Sequence, residues 1–297
     1  MQQTSMEEIL FTKMHGLGND YVYINCLESA PRHLQQLAIE MSRPHTGIGS
    51  DGIILICPSD VADFKMRIFN ADGSEARMCG NGSRCVGKYV HDYGLTDKLH
   101  LTLETLGGIK TIDLHTGVDG SVEEATVDMG EPLFDTSLVP VVSDAQAMID
   151  RPVATSCGEL RLTAVSMGNP HGVIFADAPC QLPVGVLGPE LERHPMWPER
   201  ANIEFVTVID ERHLRMRVWE RGSGETMACG TGACASVAAA IATGRVSRDA
   251  EITVSLPGGD LKIRKNSAGH LLMTGPATTV FEGRYFRRTE SSAKINI

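Results

Sequence analysis

Glu75-Ala-Arg-Met-Cys79-Gly80-Asn81-Gly82 and Glu225-Thr-Met-Ala-Cys229-Gly230-Thr231-Gly232 are two versions of one device. In each, a Glu stands four residues before a Cys, a Gly-x-Gly follows, and a run with helical spacing begins. The cysteines lie 150 residues apart in a chain of 297, about half its length. One thiol per half, each at a helix start, points to a site built from two facing thiols.

Working outward, Val86, Tyr89, Val90 and Tyr93 recur at helical spacing, and Gly94 is placed to end that helix. In the second half Ala233, Val237 and Ile241 play the same part, with Gly244 as C-cap. The run ACASVAAAIATG has almost no polar face, so its helix is expected to be buried on every side. Strand-like segments surround both helices. In the first half they are Leu10–Lys13, Tyr21–Cys26, Ile53–Cys57, Lys65–Phe69, Leu99–Glu104, Gly108–Leu114 and Glu124–Met129. In the second they are Glu159–Ser166, Val173–Ala176, Ile203–Ile209, Leu214–Trp219, Glu251–Leu256, Asp260–Arg264 and Leu271–Thr274. A further helix is expected near His33–Met41, and Gly47–Gly52 reads as a turn-rich loop. The class is α/β (α+β). Two pseudo-symmetric halves are expected, each a curved, mostly antiparallel sheet or barrel around a central helix. Residues 1–7 and about 288–297 read as frayed polar tails.

The net charge of −10 and the scattered Lys and Arg argue against nucleic-acid or anionic-membrane partners. The N-terminus lacks a basic start followed by an apolar core, and no apolar run is long enough to span a bilayer. A cytoplasmic protein with reduced thiols is expected despite eight cysteines. The Cys79/Cys85 and Cys229/Cys234 spacings are not those of a zinc site, and no metal is expected. Nucleotide-binding, Walker, zinc-protease and Gly-x-Ser-x-Gly patterns are absent. No cofactor is implied.

A thiol at a helix N-terminus meets unpaired N–H groups and a partial positive charge, which favour the thiolate. The bare N–H groups of Gly-x-Gly suit a carboxylate. Two such starts facing each other would grip one carboxylate and place a sulfur on each face of the adjacent carbon. That is the geometry of inversion by proton transfer. Cys26, Cys57, Cys157 and Cys180 lack this context and read as structural, and Cys85 and Cys234 as helix packing. His171 is read either as a tuner of thiol acidity or as a hydrogen-bonded turn residue. Glu220 and Arg221 alternate sides in a strand, so their joint use needs a bend. Asn19 and Asn70 sit in turn contexts.

These residues, with FTKMHGLGNDYV, GIGSDG, RIFNADGSEARMCGNGSRC, GNPHGV, RANIEFV and VWERGSGETMACGTGACA in order, resemble the diaminopimelate epimerase family nearly end to end. The resemblance implies a PLP-independent epimerase interconverting LL- and meso-diaminopimelate. Cys79 and Cys229 match its thiol pair, and Gly80-Asn81 and Gly230-Thr231 its carboxylate-gripping backbone. Asn19, Asn70, Asn169 and Asn202 match its substrate-contacting asparagines. Arg221 matches the partner of the distal carboxylate, and His171 and Glu220 the groups that tune the thiols, Glu220 also lying against substrate. Gly52 departs from members with Gln there, which removes any side-chain contact from that position. The family fold implies halves of residues 1–128 plus 275–297 and 129–274, and a homodimer is expected. The alternatives are a proline- or hydroxyproline-racemase-like isomerase, a silent amino-acid-binding protein and a redox sensor. Arg221 favours the first reading, because proline offers no second carboxylate.

Overall fold

The computed structural model describes residues 4–176 and 182–290. Its first half runs β1 (Thr4–Gly16), β2 (Asn19–Asn25), α1 (Leu34–Ser42), β3 (Gly52–Cys57), β4 (Phe64–Asn70), β5 (Glu75–Ala76), α2 (Gly80–Asp92), β6 (His100–Thr105), β7 (Gly108–Thr116) and β8 (Val122–Asp128). The second runs β9 (Arg151–Thr155), β10 (Gly158–Ser166), β11 (Pro170–Phe175), α3 (Val184–Glu192), β12 (Asn202–Asp210), β13 (His213–Glu220), β14 (Gly224–Thr226), α4 (Gly230–Ala242), β15 (Ile252–Leu256), β16 (Gly259–Lys265) and β17 (Leu271–Pro276). A long β18 (Thr278–Glu290) closes the described chain.

The two halves share one pairing scheme. β2 is parallel to β3 as β11 is to β12. β3 and β4 are antiparallel, as are β12 and β13. β4 is parallel to β6, and β13 to β15. β6–β7–β8 and β15–β16–β17 finish each run as antiparallel meanders. β8 pairs antiparallel with β17, which joins the runs into one connected sheet. The fold class expected from sequence is therefore the one observed.

Each sheet curls around its central helix. From Gly80 to Val90, only Lys88 of α2 escapes full burial, and α4 is buried nearly throughout from Gly230 to Ala240. Both helices end at a glycine in the left-handed region, Gly94 at φ 66° and Gly244 at φ 69°. The outer helices cover separate small cores. Leu37, Ala38 and Met41 of α1 pack on Val22, Ile53 and Phe69, and Leu187 and Leu191 of α3 pack on Leu162, Ile203 and Phe205. Among the described residues no helix is long and apolar enough to cross a membrane.

The glutamates of the repeated device are structural. Glu75 takes a two-pronged bond from Arg67, with Nε–Oε1 at 2.8 Å, and Glu225 takes the same from Arg217 at 2.7 Å. Each pair clasps the hairpin that delivers its cysteine. Cys85 and Cys234 are buried packing residues, as expected, and the described cysteines are unbridged. Cys180 lies outside the described residues.

The expectation of frayed ends fails over residues 4–7 and 288–290, while residues 1–3 and 291–297 lie outside the described residues. Residues 4–7 and 288–290 are strand, with Thr4 opposite Glu290 and Glu7 opposite Arg287 in a β1–β18 ribbon. Their polar composition reflects a ribbon with one wet face. Ile9 and Phe11 point inward, and Phe11 covers Gly283, where an added Cβ would lie 2.5 Å from its ring. Phe11→Ala is expected to cost about 3 kcal/mol in urea denaturation. A cost below about 1 kcal/mol would return the ribbon to the status of a loose tail.

Candidate active site

Cys79 and Cys229 are not merely close to helix starts; each is the N-cap. Both have extended backbones, φ −140° and −128°, and each sulfur accepts the N–H three residues on. Gly82 N lies 3.3 Å from Cys79 Sγ, and Gly232 N lies 3.4 Å from Cys229 Sγ. Side chains press on both donor positions. A Cβ at Gly82 would sit 2.6 Å from Ile54 Cδ1, and one at Gly232 would sit 2.7 Å from Glu204 Oε1.

The two helix starts meet on one side chain. A Cβ at Gly80 would lie 2.8 Å from Met273 Cε, and one at Gly230 would lie 2.9 Å from Met273 Sδ. Asn81 crosses between the halves, its Nδ2 3.3 Å from Asn19 Oδ1 and 3.5 Å from Ala228 O. Both thiols feel the carboxylate of Glu220. The thiols and the backbone of residues 80–81 and 230–231 are thus gathered at one place.

Around Cys79, Asn19 Oδ1 lies 3.4 Å from Sγ, and Asn19 Nδ2 donates to Asp51 Oδ2 at 2.7 Å. Around Cys229, Thr231 Oγ1 is 3.5 Å from Sγ. His171 is a buried strand residue rather than a turn residue. Its Nδ1 is 2.7 Å from Glu204 Oε1, and its Nε2 is 3.0 Å from Asn169 Oδ1. Glu220 accepts from Thr226 Oγ1 at 2.5 Å, and its carboxylate acts to raise Cys229. The bend that Glu220 and Arg221 require is present, because β13 ends at Glu220 and Arg221 begins a turn. Arg221 is exposed. Its N–H donates to Asn202 Oδ1 at 2.7 Å, while its Nη1 reaches Glu199 O at 2.9 Å. Asn70 holds its own turn through Ser74 and pairs with Gly52 across β3–β4. A Cβ at Gly52 would lie 2.2 Å from Phe69 O, so this backbone leaves no room for a side chain there.

The site residues obey the half-chain offset one by one. Asn19 and Asn169, Gly52 and Asn202, Asn70 and Glu220, and Cys79 and Cys229 are each 150 residues apart. Tyr21 answers to His171 and Ile54 to Glu204 at the same offset.

Burial dominates the acidity of both thiols. It pushes Cys79 up to about 11, against the lowering effect of the Gly82 N–H. Burial and then the Glu220 and Glu204 carboxylates push Cys229 well above its ordinary value. Glu220 is itself raised by burial.

Sequence reading missed Asp51, which orients Asn19, and Glu204, which underlies both His171 and Cys229. Glu204 left a usable signal, since a lone acid in Asn-Ile-Glu-Phe-Val of an apolar strand must have a buried partner.

The chain matches the family described as Diaminopimelate epimerase over residues 11–134 and 163–280. It is 53% identical to the diaminopimelate epimerase of Acetivibrio thermocellus over 274 residues, covering 92% of this chain and 97% of that one. Against the diaminopimelate epimerase of Bacillus cereus identity is 48% over 289 residues, covering 96% and 100%. Among solved structures, a hydroxyproline epimerase from Agrobacterium vitis, with trans-4-hydroxy-L-proline bound, superposes with a TM-score of 0.69 at 17% identity, covering 98% of this chain and 95% of that one. A PhzF-family protein from Bacillus anthracis gives a TM-score of 0.69 at 19% identity, covering 94% and 99%. At such identities the structural likeness concerns the fold alone.

Thiols raised in the folded state stay protonated after their unfolded counterparts, near ~8.5, have ionised. Their stabilising contribution is complete below the unfolded value and is lost as pH rises toward the folded one. Urea denaturation at about pH 7.5, 8.5 and 9.5 is expected to show falling stability, and less of a fall in Cys79→Ser/Cys229→Ser. An equal fall in the double variant would remove these two thiols as its source.

Proposed function

Because the chain belongs to the diaminopimelate epimerase family, we propose that Cys79 and Cys229 are the acid/base pair of its reaction, and that the residues around them hold the substrate. The protein interconverts LL-2,6-diaminopimelate and meso-diaminopimelate. One cysteine, as thiolate, takes the α-proton from one face, and the other, as thiol, returns a proton to the opposite face. The N–H groups of Gly80, Asn81, Gly230 and Thr231 grip the α-carboxylate and stabilise the charge that grows as the carbanion forms. Asn19, Asn70, Asn169 and Asn202 position the substrate with Glu220, and Arg221 pairs the distal carboxylate. His171, through Glu204, and Glu220 tune the thiols. Gly52 contributes backbone only. The observation that carries this reading is the pair of thiol N-caps on helices whose first residues pack on the same methionine.

We assign the halves as residues 1–128 with 275–297, and 129–274; the β1–β18 pairing supports this division. Paired thiols need a reducing compartment, which favours the cytoplasm. We further assign a homodimer to the outer face of the β1–β18 ribbon. Met6, Leu10 and Phe286 are exposed there around the Glu8–Arg284 pair at 3.0 Å. Such a face offers a second copy both apolar surface and a self-complementary pair of charges. Leu10→Asp with Phe286→Asp should shift sedimentation toward the monomer, and an unchanged dimer would place the interface elsewhere.

The decisive test is α-deuteration of LL-diaminopimelate in D2O with formation of meso product, followed by NMR. Wild type should give deuterated meso product, whereas Cys79→Ala and Cys229→Ala should each lose epimerisation by at least about 10³-fold. Epimerisation surviving in either variant would sink the two-thiol mechanism. Since both cysteines sit above the ordinary thiol range, the free enzyme carries few thiolates at neutral pH. Then kcat/KM should climb about tenfold per pH unit between about pH 7 and 9, a limb that belongs to the coupled pair. A flat profile there would contradict it.

A further inference from the structure

Arg84, in the second turn of α2, is fully buried, yet among the described residues it meets no carboxylate. Its Nε donates to Pro276 O at 3.2 Å, Nη1 lies 3.8 Å from Met273 Sδ, and Nη2 has no partner. Bare backbone flanks the guanidinium. A Cβ at Gly16 would lie 2.9 Å from Nη2, and one at Gly275 would lie 3.3 Å from Nε. The residue 150 positions on is Cys234, also fully buried, so the second half has no counterpart to this charge.

A guanidinium keeps its proton even when buried. A buried charge without a counter-charge is costly, so it favours ionisation of an acidic group beside it. The ionisable groups facing Arg84 are Cys79 and Cys85 on its own helix, Tyr23 from β2 and Cys234 from α4. Cys85, Tyr23 and Cys234 are sealed in the core, whereas Cys79 is half-buried. Cys79 is also faced by Tyr21 from β2 and Glu220 from β13. Cys229 shares Glu220 with Cys79 and adds the Glu204 carboxylate.

We propose that Arg84 is a positioning residue that provides the counter-charge for a thiolate at Cys79, and that it makes Cys79 rather than Cys229 the first of the pair to lose its proton. This rests on the two-thiol reading given above. The buried charge breaks the symmetry of a site whose backbone treats both cysteines alike. After turnover in that direction Cys79 holds the proton and Cys229 the charge, so a proton must pass from Cys79 to Cys229 before the same direction can repeat.

The test is the pH dependence of carbamidomethylation by iodoacetamide at each site, mapped by peptide mass spectrometry in wild type, Arg84→Gln and Arg84→Lys. Circular dichroism establishes folding. The midpoint for Cys79 should lie below that for Cys229 in wild type. It should rise by about one pH unit in Arg84→Gln and largely return in Arg84→Lys, with the ascending limb of kcat/KM moving in step. A folded Arg84→Gln with an unmoved Cys79 midpoint overturns the proposal. Where Arg84→Gln does not fold, wild type decides, and a Cys229 midpoint at or below that of Cys79 overturns it. Loss of epimerisation in Cys79→Ala and Cys229→Ala reports on the two-thiol reading separately, so the failure of one can be told from the failure of the other.

Discussion

A sulfur standing where a helix usually has a hydroxyl or carboxylate cap is the interaction on which this molecule turns. It has two requirements. The third helical residue is a glycine, and a side chain there would have to displace Ile54 in one half and Glu204 in the other. The helix must also run straight into the core, so that the cap is shielded from water along with the rest of the turn. Capping favours the anion and burial opposes it, and the net result is a pair of thiols held less acidic than an ordinary cysteine. The curved sheets then serve one end, which is to bring two such helix starts together on Met273.

The sequence revealed what repeats and what is buried without interruption. The central helices were legible because a Gly-x-Gly start, an apolar run and a closing glycine leave little else for the chain to do. The outer helix of the second half, α3, was not legible, because Val-Gly-Val-Leu-Gly-Pro-Glu-Leu-Glu carries two glycines and Pro189. Its helicity is imposed by the Leu162–Ile203–Phe205 surface beneath it. β9 was hidden by Pro152, which an outlying strand can carry. The repeated glutamates were legible as part of the repeat, but their bonds to Arg67 and Arg217 are a pairing that only the hairpin register discloses. The candidate site was legible through its cysteines and asparagines, and through the family resemblance. Asp51 acts through Asn19 and no local pattern marks it, whereas Glu204 is marked only as a lone acid in an apolar strand, which does not name its partner.

An inverting site needs two equivalent groups and also a difference between them, and the fold supplies each at a different level. Backbone, caps and glycines repeat at an offset of 150 residues. The side chains behind them do not: Tyr21 faces His171, Ile54 faces Glu204, Asn70 faces Glu220 and Arg84 faces Cys234 at that offset. Symmetry lives in the scaffold, and polarity in what lies just behind it.

The β1–β18 ribbon pairs Thr4 with Glu290, so the first strand waits for the last. On the ribosome the N-terminal sheet lacks its outer partner until nearly the whole chain has been made, a contact of maximal sequence separation. The two thiols are gathered earlier, because both helix starts pack on Met273 of β17, which precedes that last strand.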